Sequence, residues 1–148
     1  MATADACAKA GLKISPLPEH GQKQIREFLE GKVPLSPARG NPVDLVWVSF
    51  ADANEVYGTC LEIMAQAVDS CLTICYAFLE DGSFLSHLES IRDRNRKPII
   101  VVPGNSIDQR QGMFLAVRRG IPAYAMPENA VRVLETMTQR AEYLNSFA

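Results

Sequence analysis

The chain has 148 residues, of which 47% are hydrophobic and 22% are charged, so it can form one domain with a substantial core and is not disordered. A net charge of −2 and an isoelectric point near 5.7 exclude a basic surface for nucleic acid or for an anionic membrane. Its longest apolar runs, Cys71–Leu79 and Pro98–Pro103, are far shorter than the roughly 20 residues of a membrane-spanning helix. The Ala-rich start, which carries Asp5, is unlike a signal peptide, so we expect a cytoplasmic protein.

Helical and extended patterns alternate in the first half of the chain. The Ala-rich segment Thr3–Ala10 predicts a helix that ends at Gly11, because glycine is the preferred residue just past a helix end. The following elements are a strand over Leu12–Ser15, a helix over Glu19–Glu30, an extended apolar segment over Val43–Val48, and an amphipathic helix over Asn54–Val68. The Pro- and Gly-rich stretch Lys32–Asn41 is predicted to be a loop.

The second half continues the alternation with longer apolar strands. The predicted elements are a strand over Ser70–Leu79, a helix over Ser83–Arg96, a strand over Lys97–Val102, a helix over Ser106–Arg119, a strand over Ile121–Ala125, and a helix from Pro127 to about Tyr143. Gly120 is expected to end the fifth helix, as Gly11 ends the first. In the last helix the spacing predicts that five residues face inward: Val133, Leu134, Met137, Ala141 and Leu144.

Strands separated by single helices predict right-handed crossovers and therefore a parallel sheet. The strands are apolar nearly throughout, as expected of a parallel sheet that is buried on both faces. We therefore predict an α/β fold, a three-layer doubly wound parallel sheet, formed by residues 1–148 as a single domain.

Few residues have a sequence context that indicates catalysis. Neither His20 nor His87 is followed or preceded by an activating partner at a suitable spacing, and no nucleophile elbow or Walker motif occurs. The four cysteines have neither the C-x-x-C pairs nor the histidine partners of a zinc site, and we interpret them as small buried hydrophobic residues. No catalytic residue and no metal ligand is therefore predicted in this chain.

Two loop-to-helix junctions are candidates for binding an anion, because a helix N-terminus presents free N–H groups and a positive dipole end. One lies near Asn41 and Asp44, and the other near Gly104, Asn105 and Ser106. In open parallel sheets, ligands bind beyond the carboxyl ends of the strands, where we expect the two junctions to meet. Helix capping by Asn105 or Ser106 is the competing explanation for the second junction.

An ordered set of segments resembles one known domain. The segments are Ala4–Leu12, Asn41–Leu45 with the sequence Asn-Pro-Val-Asp-Leu, Ala51–Tyr57, Lys97–Ile100, Gly120–Tyr124 and Pro127–Leu134. In order and spacing they resemble the second succinyl-CoA-synthetase-like domain of NDP-forming acyl-CoA synthetases, the ADP-forming acetate–CoA ligase type. The resemblance covers nearly the whole chain and implies a flavodoxin-like fold.

The activity that the resemblance implies is divided among several domains. It comprises acyl phosphate formation, phosphoryl relay through a histidine, and thioester formation with CoA. CoA and ATP or ADP with magnesium would be bound by CoA-binding and ATP-grasp units, which are the implied partners of this chain, and no cofactor is expected in the chain itself. The resemblance implies that this domain contributes a helix N-terminus, beside Asn41–Asp44, to the phosphohistidine region.

Two departures from the family pattern leave alternatives open. Bulky residues, Val46 to Phe50, follow the Asn-Pro-Val-Asp motif where small residues are usual, and the chain begins at the first helix without the preceding strand. The missing strand predicts a central slot in the sheet, filled by Val43–Val48 or by a partner chain. The first alternative function is a binding or assembly module without ligase activity. Among partners, a second copy of this chain in a homo-oligomer is also left open. An unrelated flavodoxin-like or receiver-like domain is the second, although Asp81 and Lys97 do not suit a receiver, because Lys97 begins its strand.

Overall fold

A pair of parallel strands lies at the centre of this computed structural model, which describes residues 2–33, 40–45, 48–49, 51–75, 79, 82–104 and 109–147. The strands are β1 (Cys71–Cys75) and β2 (Ile99–Pro103), and Cys71 lies opposite Ile99 in their register. Every residue of β2 is buried, which explains the uninterrupted apolar sequence of that strand.

A third position of the sheet is occupied by a single bridge. Val101 of β2 pairs in parallel with Ala123: the Val101 N–H donates to the Pro122 carbonyl at 3.0 Å, and the Tyr124 N–H donates to the Val101 carbonyl at 3.0 Å. The predicted strand Ile121–Ala125 is thus reduced to one bridge. Pro122 has no amide hydrogen to donate, which limits the ladder on that side.

Six helices surround the strands in the described part of the chain, and the structure is mixed α/β as predicted. They are α1 (Ala2–Lys9), α2 (Glu19–Leu29), α3 (Ala53–Ala65), α4 (Gly82–Asn95), α5 (Gln109–Arg118) and α6 (Pro127–Asn145). None of the helices in this part of the chain is both long and apolar enough to cross a bilayer.

The sheet is narrower than the sequence predicts. No strand is assigned to Leu12–Ser15 or to the described part of Val43–Val48, of which Val46 and Trp47 lie outside the described residues. Leu45 and Val48 instead pack against two clusters of buried residues, one between the strands and the helices α3 and α4, and one between α2 and α3. An extended segment becomes a strand only beside another strand, and neither segment is paired with one among the described residues.

The two faces of β2 are covered by different helices. Ile99 and Val101 pack into the larger core cluster with Phe84, Leu88 and Ile91 of α4. Ile100 and Val102 pack on the other face, against Ala130 and Leu134 of α6. A third cluster joins Ile25 and Leu29 of α2 to Val56 and Cys60 of α3. The buried residues of α2 and α4 recur at helical spacing, as in amphipathic helices.

The predicted inward face of α6 is wrong beyond its middle. Met137 and Leu144 are 42% and 53% exposed, and Ala141 is exposed as well. The 19 residues of α6 extend over about 28 Å, whereas the five residues of β2 cover about 17 Å, so the last turns pass the end of the sheet.

Glycine ends α1 and α5 in the predicted manner. Gly11 and Gly120 both adopt a φ of 71°, a left-handed conformation that residues with a Cβ rarely take. The N–H after each glycine donates back across the last turn, from Leu12 to the Cys7 carbonyl at 2.9 Å and from Ile121 to the Ala116 carbonyl at 3.0 Å.

Close contact between α3 and α4 depends on Gly58. A Cβ atom at this position would overlap the His87 ring, with Cε1 only 2.6 Å away. We expect Gly58→Ala to destabilise the protein by about 1 kcal/mol, because overpacking costs roughly 1–3 kcal/mol and alanine in a helix offsets about 1 kcal/mol of it. Chemical denaturation measures the effect. The double variant Gly58→Ala/His87→Ala removes the overlap and should be more stable than Gly58→Ala alone; a Gly58→Ala protein more stable than the wild type would contradict the packing.

Candidate functional site

Several helices begin at the carboxyl edge of the sheet. Helix α4 follows β1, and α3 starts beside it, because the Asn54 Nδ2 group lies 3.5 Å from the Ser83 hydroxyl to which it donates. Helix α5 follows β2, and the Gln109 side chain donates to the Pro103 carbonyl at 2.9 Å. This edge is where an open α/β sheet usually binds its ligands.

The start of α3 already carries a carboxylate. The Ser49 hydroxyl donates to Asp52 Oδ2 at 2.6 Å, and the Asp52 N–H donates to the Ser49 carbonyl at 3.1 Å. A carboxylate at this point is stabilised by the positive end of the helix dipole and competes with an external anion. Glu55 points elsewhere, to an ion pair with Lys32 at 2.5 Å, so Asp52 and Glu55 do not form an acid–base pair.

The second predicted junction is partly described. The Gly104 N–H donates to the Cys75 carbonyl at 2.8 Å, so this amide extends the β1–β2 ladder and is not free for an anion. Asn105 and Ser106 lie outside the described residues.

Asn41 is located away from the carboxyl edge. Its Nδ2 group donates to the Ser15 carbonyl at 2.9 Å, and its side chain borders a cavity together with Ser70 and Cys71, at the amino end of β1. Asp44 is exposed, three residues further on. The structure therefore does not bring Asn41 next to Gly104, because Asn41 lies at the amino end of β1 whereas Gly104 follows the carboxyl end of β2.

The cavity beside Asn41 has a volume of about 360 Å³. Its walls are the start of β1, the extended segment after α1, the end of α3, and the faces of α1 and α6. The lining is mixed: Cys7, Met64, Val68 and Leu134 are apolar, whereas Lys13, Asp69, Thr138 and Glu142 are polar.

The two histidines of the chain lie in different environments. His20 is exposed at the start of α2. His87 packs over Gly58, and its Nε2 atom lies 3.6 Å from an oxygen of Glu62, which also pairs with Arg94. Sequence spacing could not reveal this group, because it joins two helices that are distant in the chain. Within the described ranges, no group of three or more His, Cys, Asp or Glu side chains is suited to hold a metal ion.

Lys97 is placed at the amino edge of the sheet. Its ammonium group donates to the Ala65 carbonyl, at the end of α3, at 2.9 Å. A receiver-like site requires a lysine at the carboxyl edge, so this position does not favour the receiver alternative. Asp81, the aspartate considered with it, lies outside the described residues.

Comparison with known proteins identifies a curated sequence to which the chain is similar. No family model matches the chain. The chain is 29% identical over 147 residues to the alpha subunit of ADP-forming acetate–CoA ligase II from Pyrococcus furiosus, which covers 95% of the chain and 31% of that subunit. It therefore spans about a third of the length of the curated relative that it matches.

A solved structure shares the fold. The crystal structure of PH0766 from Pyrococcus horikoshii OT3 superposes with a TM-score of 0.76 at 24% identity, over 95% of this chain and 32% of that protein. Coverage of nearly the whole chain in both comparisons matches the extent of the resemblance seen in its ordered motifs. The chain is therefore a homologue of the alpha subunit of ADP-forming acetate–CoA ligase.

Proposed function

We propose that the chain is an accessory domain of an NDP-forming acyl-CoA synthetase, with residues 1–148 forming one flavodoxin-like domain. The observation that carries the proposal is homology over 95% of the chain to a ligase subunit of which it covers 31%. Because the chain corresponds to a third of that subunit, its expected role is a part of the reaction: acid, CoA and NTP interconverted with acyl-CoA, NDP and phosphate.

The contribution that we propose for this domain is a helix N-terminus beside the phosphohistidine and acyl site. Helix α3 is the candidate, because it begins at the carboxyl edge next to the start of α4, although the Asp52 carboxylate at its start opposes an anion there. Such a dipole stabilises charge that develops on a phosphoryl group. Asn41 would then act indirectly, by holding the loop against Ser15. Asp44, Gly104, Asn105 and Ser106 remain proposed as residues that shape the anion site.

Other units would supply the remaining chemistry. We propose that CoA and ATP or ADP with magnesium bind to the CoA-binding and ATP-grasp units that partner this chain. The homologue is named as a subunit, which supports partner polypeptides. We further propose that the protein works in the cytoplasm, where its free thiols would stay reduced.

A chimaera tests the proposal. The matched region of the Pyrococcus furiosus alpha subunit is replaced by this chain, and acetyl-CoA formation is measured with the partner subunit present. We expect activity above that of a control subunit from which the same region is deleted. Assembly is measured separately by size-exclusion chromatography. A chimaera that assembles but is no more active than the deletion would overturn the ligase role and support the assembly-module alternative.

The isolated chain provides a second test. It should form no thioester and take no label from γ-labelled ATP, because it corresponds to only 31% of the ligase subunit that it matches and the remaining units are absent from this test. Label that disappears in His87→Ala would show that the chain carries its own phosphoryl acceptor, which contradicts an accessory role.

A further inference from the structure

Helix α5 carries two large apolar side chains on its outer face. Phe114 is 59% exposed and Val117 is 57% exposed. Met126, which is also exposed, lies near the start of the same helix, because the Gln109 side chain donates to the carbonyl of Ala125 at 3.4 Å. Single apolar residues are ordinary on protein surfaces, whereas apolar residues grouped on one face indicate a contact surface.

Two arginines share this face of α5. Arg110 and Arg118 are exposed and lie one helical turn before and one turn after Phe114, a spacing that places all three on one side of the helix. The Arg118 guanidinium carbon lies 5.5 Å from the centre of the Phe114 ring. Arg110, Phe114, Val117 and Arg118 together are called the α5 face below.

The α5 face is locally positive, although the chain as a whole has a net charge of −2. Residues 109–127 contain three arginines and no acidic residue, and the preceding Asp108 lies outside the described residues. The third arginine, Arg119, is paired with Glu89 of α4 at 3.2 Å. Within the described part of the chain, no carboxylate forms an ion pair with Arg110 or Arg118.

Helix stability does not explain the position of Arg110. This residue lies in the first turn of α5, where the positive end of the helix dipole disfavours a cation. A carboxylate bound beside Arg110 would offset that unfavourable interaction. Arg118 lies in the last turn, where the dipole itself favours a cation, so Arg110 is the more informative of the two residues.

We propose that the α5 face binds an acidic amphipathic helix of a partner polypeptide. The apolar residues of the partner would cover Phe114 and Val117, and its carboxylates would pair with Arg110 and Arg118, which are about 12 Å apart along the helix axis. Complementary charge specifies an acidic partner, because a neutral or basic surface would leave both arginines without a counter-charge. Two arginines are fewer than the roughly four to eight basic residues of a lipid-binding cluster, which favours a protein over a membrane.

A designed peptide tests the charge and the apolar contact together. The probe is a helical peptide with a leucine stripe flanked by glutamates, and the control peptide has lysine in place of every glutamate. Fluorescence anisotropy of the labelled peptides measures their binding to the chain. We expect the glutamate peptide to bind at least about tenfold more tightly than the lysine peptide, because only its charges oppose those of Arg110 and Arg118.

Variants of single apolar residues locate the contact. Phe114→Ala should weaken binding of the glutamate peptide roughly tenfold, the usual effect of removing a central apolar contact. Leu144→Ala is the matched control, because Leu144 is similarly exposed, at 53%, but lies on α6. Equal effects of the two variants would contradict binding at the α5 face.

A charge reversal identifies the arginines. The double variant Arg110→Glu/Arg118→Glu should reject the glutamate peptide and bind the lysine peptide, because the exchange restores opposite charges. No binding of the glutamate peptide to the wild type, equal binding of the two peptides, or unchanged binding by the double variant would overturn the proposal.

Two other occupants of the α5 face are tested in parallel. Self-association of the wild-type chain in sedimentation, or its binding to anionic lipid vesicles, would overturn the proposal if the charge reversal abolishes it, because the face would then belong to a second copy or to a membrane. Neither should be observed. Since these assays involve no ligase reaction, their outcome is independent of the chimaera.

Discussion

Replacement of Phe84 by alanine is expected to lower the free energy of unfolding by about 3–5 kcal/mol, the usual cost of removing a buried phenylalanine side chain. Phe84 is 1% exposed in α4 and belongs to the largest core cluster, which also contains Leu88 and Val101. Its removal leaves a cavity between α4 and the sheet that the close-packed surroundings can fill only in part. Denaturant titration measures the loss.

Phe114→Ala is the matched control. Phe114 also lies on a helix, α5, but is 59% exposed, and its ring has only a long contact with Arg118, at 5.5 Å from the guanidinium carbon. Its replacement should change the free energy of unfolding by less than about 1 kcal/mol. Similar losses in the two variants would show that Phe84 does not occupy the core position described.

Alkaline pH should destabilise the protein through Cys71. Burial raises the pKa of the Cys71 thiol from its ordinary value of 9.0 to about 11, and the positive charge of Lys97 partly opposes the shift. Above pH 9 the unfolded thiol loses its proton while the folded thiol keeps it, so the unfolded state is favoured progressively as pH rises. A pKa difference of two units corresponds to about 2.7 kcal/mol of folding stability. This stability is fully present below pH 9 and is lost by about pH 11.

Urea denaturation at a series of pH values measures this loss. Cys71→Ala removes the titrating group and should show a smaller decline between pH 9 and 11, whatever its stability at neutral pH. Cys7→Ala is the control, because the pKa of the Cys7 thiol is also raised by burial but Cys7 is only half-buried. Parallel curves for the wild type and Cys71→Ala would contradict the assignment to Cys71.

The helices were predictable because each depends on a local pattern. In α4, Phe84, Leu88 and Ile91 recur at helical spacing and are buried. Glycine at the ends of α1 and α5 could likewise be read locally, since the left-handed conformation is open to glycine at little cost. The buried strands β1 and β2 were predictable from continuous apolar runs, although both predicted strands start before the first paired residue, at Ser70 and Lys97.

Strand pairing, burial at the end of α6 and the hydrogen bonds of loop residues depend on distant parts of the chain, so only the tertiary structure shows them. Leu12–Ser15 has a strand-like sequence, but among the described residues no strand lies beside it to complete a ladder. Helix α6 extends past the end of the sheet, so Leu144 is left exposed. The candidate site depends on partners in the same way. Asn41 bonds to Ser15 and the Gly104 amide bonds to Cys75, and neither pairing has a signature in local spacing. Periodicity specifies which residues are apolar or helical, whereas the hydrogen-bond partner of a loop residue follows from chain packing across the whole domain.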